Sequence, residues 1–103
     1  MEIETKKRLA VVLRAAASQT ISEPDFWERF NGIESPSDDP FSKIAYQTAV
    51  HFWGTFHEKN LLLMPTKPDR YQVRQGRDQL NLIAEALEEN WLYSELMRKL
   101  DDI

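Results

Sequence analysis

Apolar residues recur along this chain every three or four positions, and the apolar–polar alternation that marks a β-strand is nearly absent. Alanine, leucine, glutamate, lysine, arginine and glutamine dominate, and all of them favour helix. Glycine occurs only 3 times. The pattern predicts an all-α protein, a compact bundle of four to five helices in which the third, at about residues 40–60, is central.

Local chemistry marks where these helices begin. The first helix is predicted over residues 2–18. Ser22 is the expected N-cap of a short second helix, and Asp25 stands where a capping-box partner belongs. Asp39 is the expected cap of the third helix, because Pro40 after it suits the first helical position.

The fourth helix is predicted over residues 70–89, and the apolar stripe changes register after Asn90. Tyr93, Leu96 and Leu100 would lie nearly opposite the earlier stripe if the helix were continuous. Two alternatives stay open. Either the chain breaks near Asn90, or one long helix uses two faces and leaves an apolar strip for a partner.

The composition, with 42% hydrophobic and 29% charged residues, is typical of a globular protein, and the length predicts a single domain over residues 1–103. The chain contains no cysteine, which excludes disulfides, zinc–thiolate sites and a cysteine nucleophile. The apolar run from Leu9 to Leu13 is far shorter than the ~20 residues that span a bilayer. We therefore expect a cytoplasmic protein that does not enter the membrane.

The two histidines both fall on the third helix. His51 and His57 point about 120° apart, whereas one ion needs helical histidines at i, i+3 or i, i+4. We expect no metal and no cofactor, with both imidazoles at the boundary of the buried stripe. The alternative is a small-molecule site or enzyme with a pocket near His51, Trp53 and Gly54. Gly54 itself indicates close approach by a neighbouring helix, or else a kink or ligand gap.

Arginines form a cationic line on the fourth helix, since Arg70, Arg74 and Arg77 follow i, i+4 and i+7. A phosphate or a nucleic-acid backbone suits such a line, and a helix N-terminus also attracts anions. The alternative is a solvated face whose arginines pair with the acidic loop before the third helix, each pair contributing ~0–1 kcal/mol.

The leading hypothesis for function is a small non-enzymatic protein that binds another macromolecule, with a protein as the expected partner. Its support is a bipolar charge distribution, an out-of-register C-terminal stripe and the lack of a Gly-rich phosphate loop or Gly-x-Ser-x-Gly motif in the sequence. A homodimer is one form of this hypothesis, and a nucleic-acid-binding regulator using the arginine line is the alternative. The expected partner-binding residues are Tyr93, Leu96, Met97 and Leu100.

Overall fold

Five helices make up the computed structural model, and no strand occurs in the described residues 1–33, 39–61 and 70–102. Side chains are described at 1–33, 39–54 and 74–102. The prediction of an all-α bundle is confirmed. In chain order the helices are α1 Ile3–Ala17, α2 Glu23–Gly32, α3 Pro40–Leu61, α4 Arg70–Glu89 and α5 Tyr93–Asp101.

Two predicted caps are present. The Ser22 hydroxyl accepts a hydrogen bond from the Asp25 N–H at 3.3 Å. Asp39 Oδ1 accepts one from the Phe41 N–H at 2.9 Å. Asp39 Oδ2 lies 3.3 Å from the Met1 ammonium group. One carboxylate therefore both begins α3 and ties it to the start of α1.

The chain breaks after α4, which settles the two alternatives for the C-terminal stripe. Asn90 takes a left-handed conformation with φ of 59°, which asparagine tolerates better than most residues. The Trp91 N–H then donates to the Ala86 carbonyl at 2.9 Å, closing the end of the helix. Because the chain turns here, α5 lays its stripe back on the core, and Leu96 is fully buried.

The most extensive packing within the described chain joins α1 to α4. The two helices run antiparallel: Lys6, early in α1, bonds to Asn90 after α4, and Arg14, late in α1, bonds to Asn81 in mid-helix. Alanines on both helices let their backbones approach closely. We call this contact the α1–α4 seam. The buried core residues of these two helices are Leu9, Ala10, Val12, Leu13, Ala16 and Ala17 on α1, with Leu80, Ile83, Ala84, Ala86 and Leu87 on α4.

A forked ion pair closes one edge of the α1–α4 seam. Arg14 Nη2 lies 2.6 Å from Glu88 Oε1, and Arg14 Nε donates to Glu88 Oε2 at 3.0 Å. The hydrogen bond from the Arg14 side chain lowers the pKa of Glu88, and the same bond raises the pKa of Arg14. Both side chains stay partly in water, so the pair orients the helices more than it stabilises them.

The third helix is central as predicted: Phe41 of α3 contacts Lys6 of α1 and Tyr93 of α5, Trp53 contacts α2, and the helix packs on α4. Within the described ranges α4 packs against α1, α3 and α5, while α3 packs chiefly on α4. Phe56 falls outside the described side chains. The described stripe of α3 consists of Phe41, Ala45, Ala49 and Phe52, all buried.

The close approach between α3 and α4 occurs at Gly76, whereas the sequence pattern indicates Gly54. A Cβ on Gly76 would lie 3.0 Å from Cδ2 of Phe52. A Cβ on Gly54 would meet no atom of the described chain within 4 Å. The glycine that admits a neighbour therefore sits on α4, opposite the buried ring of α3. None of the helices, over their described residues, is long and apolar enough to cross a bilayer.

Candidate functional site

The short helix α2 packs on α1 and also contacts α3 through one buried phenylalanine. Phe26 is 0% exposed, and its ring centroid lies 5.9 Å from that of Trp53 on α3. Phe30 follows at i+4 and stacks on Phe26 at 5.6 Å, while Trp27 meets it edge-on at 4.9 Å. These rings form one connected cluster at favourable separations. The cluster fixes where α2 lies and therefore where its outer side chains point.

The outer part of this cluster remains in contact with water. Tyr46 is 52% exposed and Val50 is 44% exposed on α3. The half-buried rings of Trp27 and Phe30 lie 5.6 Å and 6.2 Å from the Tyr46 ring. We call these four residues the aromatic surface. The three rings are in mutual contact across two helices, and Val50 lies one turn after Tyr46 on α3.

The indole of Trp27 is held in place rather than free to rotate. Its Nε1 donates to Glu23 Oε1 at 3.2 Å, one turn earlier on α2. The rings of Phe26, Phe30 and Tyr46 pack on three sides of it. A side chain fixed in this way loses little conformational entropy when another molecule covers it.

The sequence contains a pattern that indicates the aromatic surface, although the predicted partner-binding residues do not include it. Tyr46 and Val50 follow i, i+4 on the third helix, which places them on one face. At 100° per residue this face, with Trp53, extends the apolar arc well beyond the buried stripe. An apolar arc that is too wide for one neighbour indicates a second contact.

His51 lies exposed on α3, next to Val50. The side chain of His57 lies outside the described part of the chain. Among the described residues no group of three or more His, Asp or Glu could hold a metal ion. Clefts formed by described residues include one of about 820 Å³ beside the start of α1 and one of about 470 Å³ among α1, α4 and α5. His51 lines neither, so a pocket near His51 stays a prediction.

The arginine line is partly described. Arg74 and Arg77 are both exposed, one turn apart near the start of α4. The backbone of Arg70 begins the helix, and its side chain lies outside the described residues. Asp78 is exposed directly after Arg77, which reduces the positive charge at that end. Anion binding by this line stays a prediction.

The C-terminal stripe faces the protein's own core. Leu96 is 0% exposed, and Met97 and Leu100 are half-buried against the core. Tyr93 is 37% exposed and meets the Phe41 ring edge-on at 5.7 Å. Leu96 therefore offers no surface to a partner in this fold, because the turn at Asn90 rotates the stripe inward. Of the four expected partner-binding residues, Tyr93 is the one that remains well exposed.

No protein-family model, curated protein or solved structure matches this chain. A functional proposal must therefore come from the geometry of its own residues.

Proposed function

We propose that this chain is a small, cytoplasmic, non-enzymatic module that binds another protein through the aromatic surface. The observation that carries the proposal is the exposure of Tyr46 and Val50 beside the fixed ring of Trp27. Tyrosine and tryptophan are the side chains most enriched among residues that dominate binding energy. The absence of cysteine is compatible with a reducing cytosol.

Apolar ring surface is costly to leave in water. Single exposed apolar side chains, such as Val11 and Leu92, are ordinary on a protein surface, whereas Tyr46 lies beside the half-buried rings of Trp27 and Phe30. The rings are also preorganised, since α2 is anchored by the fully buried Phe26. A partner that covers them gains apolar burial at about 25 cal/mol per Å² without first having to order the site.

Affinity capture with matched variants tests the proposal. The double variant Tyr46→Glu, Val50→Glu places two charges on the aromatic surface, and Val11→Glu places one at an unrelated position that is 62% exposed. We expect the wild type and Val11→Glu to retain the same partner protein from the native cell, and the double variant to lose it. Circular dichroism must show that all three are folded. Equal recovery on all three would contradict the proposal.

A second candidate function, nucleic-acid binding, is favoured by one observation, the exposure of Arg74 and Arg77 on a single helix face. Binding to duplex DNA should then fall steeply with salt, and Arg74→Ala with Arg77→Ala should abolish it. The matched control is Arg29→Ala with Arg98→Ala, which removes the same charge from exposed positions elsewhere. Absence of binding at low salt, or equal loss in both variants, would reject this candidate.

A further inference from the structure

One asparagine, at the end of α2, differs from the others in the chain by the residue that follows it. Asn31 precedes Gly32, whereas the remaining asparagines, Asn60, Asn81 and Asn90, precede leucine or tryptophan. The backbone nitrogen that follows an asparagine can attack the carbon of the side-chain amide, and a bulky side chain on the attacking residue hinders this approach. Glycine has no Cβ and leaves the nitrogen unhindered. The sequence therefore distinguishes Asn31 as the asparagine whose neighbour can attack most readily.

The structure leaves this pair accessible to water. Asn31 and Gly32 are both exposed. Gly32 lines the cleft of about 820 Å³ beside the start of α1. A Cβ built on Gly32 would meet no atom of the described chain within 4 Å. Water is therefore available at this peptide bond, and no described side chain packs against it on the side where a Cβ would stand.

The last turn of α2 is what holds the pair in a helical conformation, which keeps the Gly32 nitrogen away from the side-chain carbon of Asn31. The helix ends directly afterwards, because Ile33 is extended with ψ of 117°. The Ile33 N–H donates to the Phe30 carbonyl at 3.2 Å, a bond that spans only three residues. Helix ends open at little cost in free energy, since few contacts are lost. Opening of this turn gives the pair the backbone freedom that the attack requires.

We propose that Asn31 is a modification site, at which the chain deamidates spontaneously. The Gly32 nitrogen forms a bond to Cγ of Asn31, the bond from Cγ to the amide nitrogen breaks, and ammonia leaves with the proton of the Gly32 nitrogen. Water then opens the five-membered ring at either of its two carbonyl carbons. The product is aspartate or isoaspartate. The reaction therefore consumes water, releases ammonia and needs no oxidant or other reagent.

Either product changes the end of α2. A new carboxylate lies in the last turn, where the negative end of the helix dipole disfavours it. Isoaspartate also adds a methylene group to the backbone, which disrupts the hydrogen-bond spacing of that turn. Asn31 follows Trp27 at i+4, so the change falls on the helix face that carries the aromatic surface. The reaction itself needs no partner and is independent of the proposed function.

Peptide mapping by mass spectrometry tests the proposal on the purified chain, incubated in mildly alkaline buffer and sampled over time. A parallel incubation in urea gives the rates for the unfolded chain. We expect Asn31 to react first, and its rate in the folded protein to lie within about tenfold of its rate in urea, because the end of a helix frays readily. Asn81, in the middle of α4, should stay unmodified while the protein is folded.

The matched control is Gly32→Ala, which adds a methyl group to the attacking residue at a position with room for it. It should slow the reaction at Asn31 in urea as well as in the folded protein, since hindrance at the nitrogen does not depend on the helix. Faster reaction at another asparagine, or an unchanged rate in Gly32→Ala, would overturn the proposal. So would a folded-state rate at Asn31 more than about tenfold below the rate in urea, because the last turn of α2 would then be firmly closed.

Discussion

The α1–α4 seam and the aromatic surface are both apolar contacts between helices, but water reaches only one of them. In the seam, Leu13 and Ala84 are 0% exposed. On the aromatic surface, Tyr46 is 52% exposed and Val50 44%. The seam is built from small and aliphatic residues, and the surface from large rings. The hydrophobic effect therefore buries the apolar residues of the seam completely, whereas those of the aromatic surface stay partly exposed.

The two regions differ in how fully one helix covers its neighbour. With 15 and 20 residues, α1 and α4 can cover each other along most of their length. With only 10 residues, α2 is about 15 Å long, while the 22 residues of α3 extend about 33 Å. Two rings of α2 reach Tyr46 but leave 52% of it exposed, so part of the apolar arc on α3 remains uncovered. This uncovered apolar area is the area that a partner would bury.

The largest expected effect on folding comes from placing a charge in the fully buried core. Leu96→Glu places a carboxylate at a position with 0% exposure and should abolish cooperative folding, because an unpaired buried charge costs more than about 4 kcal/mol. The matched control, Leu92→Glu, alters a side chain that is 66% exposed and should leave the thermal unfolding curve nearly unchanged. A folded, monomeric Leu96→Glu variant of a dimeric wild type would instead assign the C-terminal stripe to an interface.

Truncation within the α1–α4 seam should have the next largest effect. Leu13→Ala should lower the free energy of unfolding by about 3 kcal/mol, because it removes buried methyl groups and leaves a cavity. Val11→Ala, two residues away and 62% exposed, should change it by less than about 0.5 kcal/mol. Urea unfolding of the two variants measures both. Similar losses would mean that the outer face of α1 is also covered, and the comparison of the two regions would fail.

Replacing glycine by alanine should change the free energy of unfolding by a smaller amount, and at Gly54 the change should be stabilising. Gly54→Ala should raise the free energy of unfolding by up to about 1 kcal/mol, because alanine has less backbone freedom to lose. Gly76→Ala should forfeit this gain or reverse it, since the new methyl would lie 3.0 Å from the Phe52 ring. Thermal unfolding ranks the two. The reverse order would show that α3 and α4 meet elsewhere.

The smallest expected effect on the free energy of unfolding comes from the Arg14–Glu88 ion pair at the edge of the α1–α4 seam. The bond from Arg14 lowers the pKa of Glu88 in the folded state below its unfolded value of 4.5. Its contribution is therefore fully present above the unfolded pKa and is lost as pH falls through the folded pKa. Glu88→Gln should cost less than about 1 kcal/mol at about pH 7 and nothing at about pH 2. Unfolding of Arg14→Gln and of the double variant completes a cycle, and additive losses would contradict the pairing.

Much of the fold could be predicted because helix ends are set by local chemistry. The predicted limits of the fourth helix, Arg70 and Glu89, are those observed. Ser22 and Asp39 cap as expected, since a side-chain oxygen near free backbone N–H groups needs no tertiary information. The direction of α5 could not be predicted in the same way. It depends on a single left-handed residue, Asn90, which the sequence permits but does not require.

The exposure of the candidate site could not be predicted from the sequence, for a related reason. Spacing alone places Tyr46 and Val50 on one face of α3, but it does not say how far α2 extends over that face. The same holds for Leu96, which a periodicity argument places on an outward strip and the turn at Asn90 places in the core. Periodicity finds apolar faces, whereas exposure depends on which helix covers them.

We propose that the aromatic surface on α2 and α3 meets a partner and that the exposed face of α1 does not. The most direct test is site-specific photo-crosslinking in the native cell, with a photoreactive amino acid in place of Val50 and, in a second protein, in place of Val11. We predict a covalent adduct with one other protein from position 50 and none from position 11. An adduct from position 11 alone, or equal adducts from both, would contradict the account.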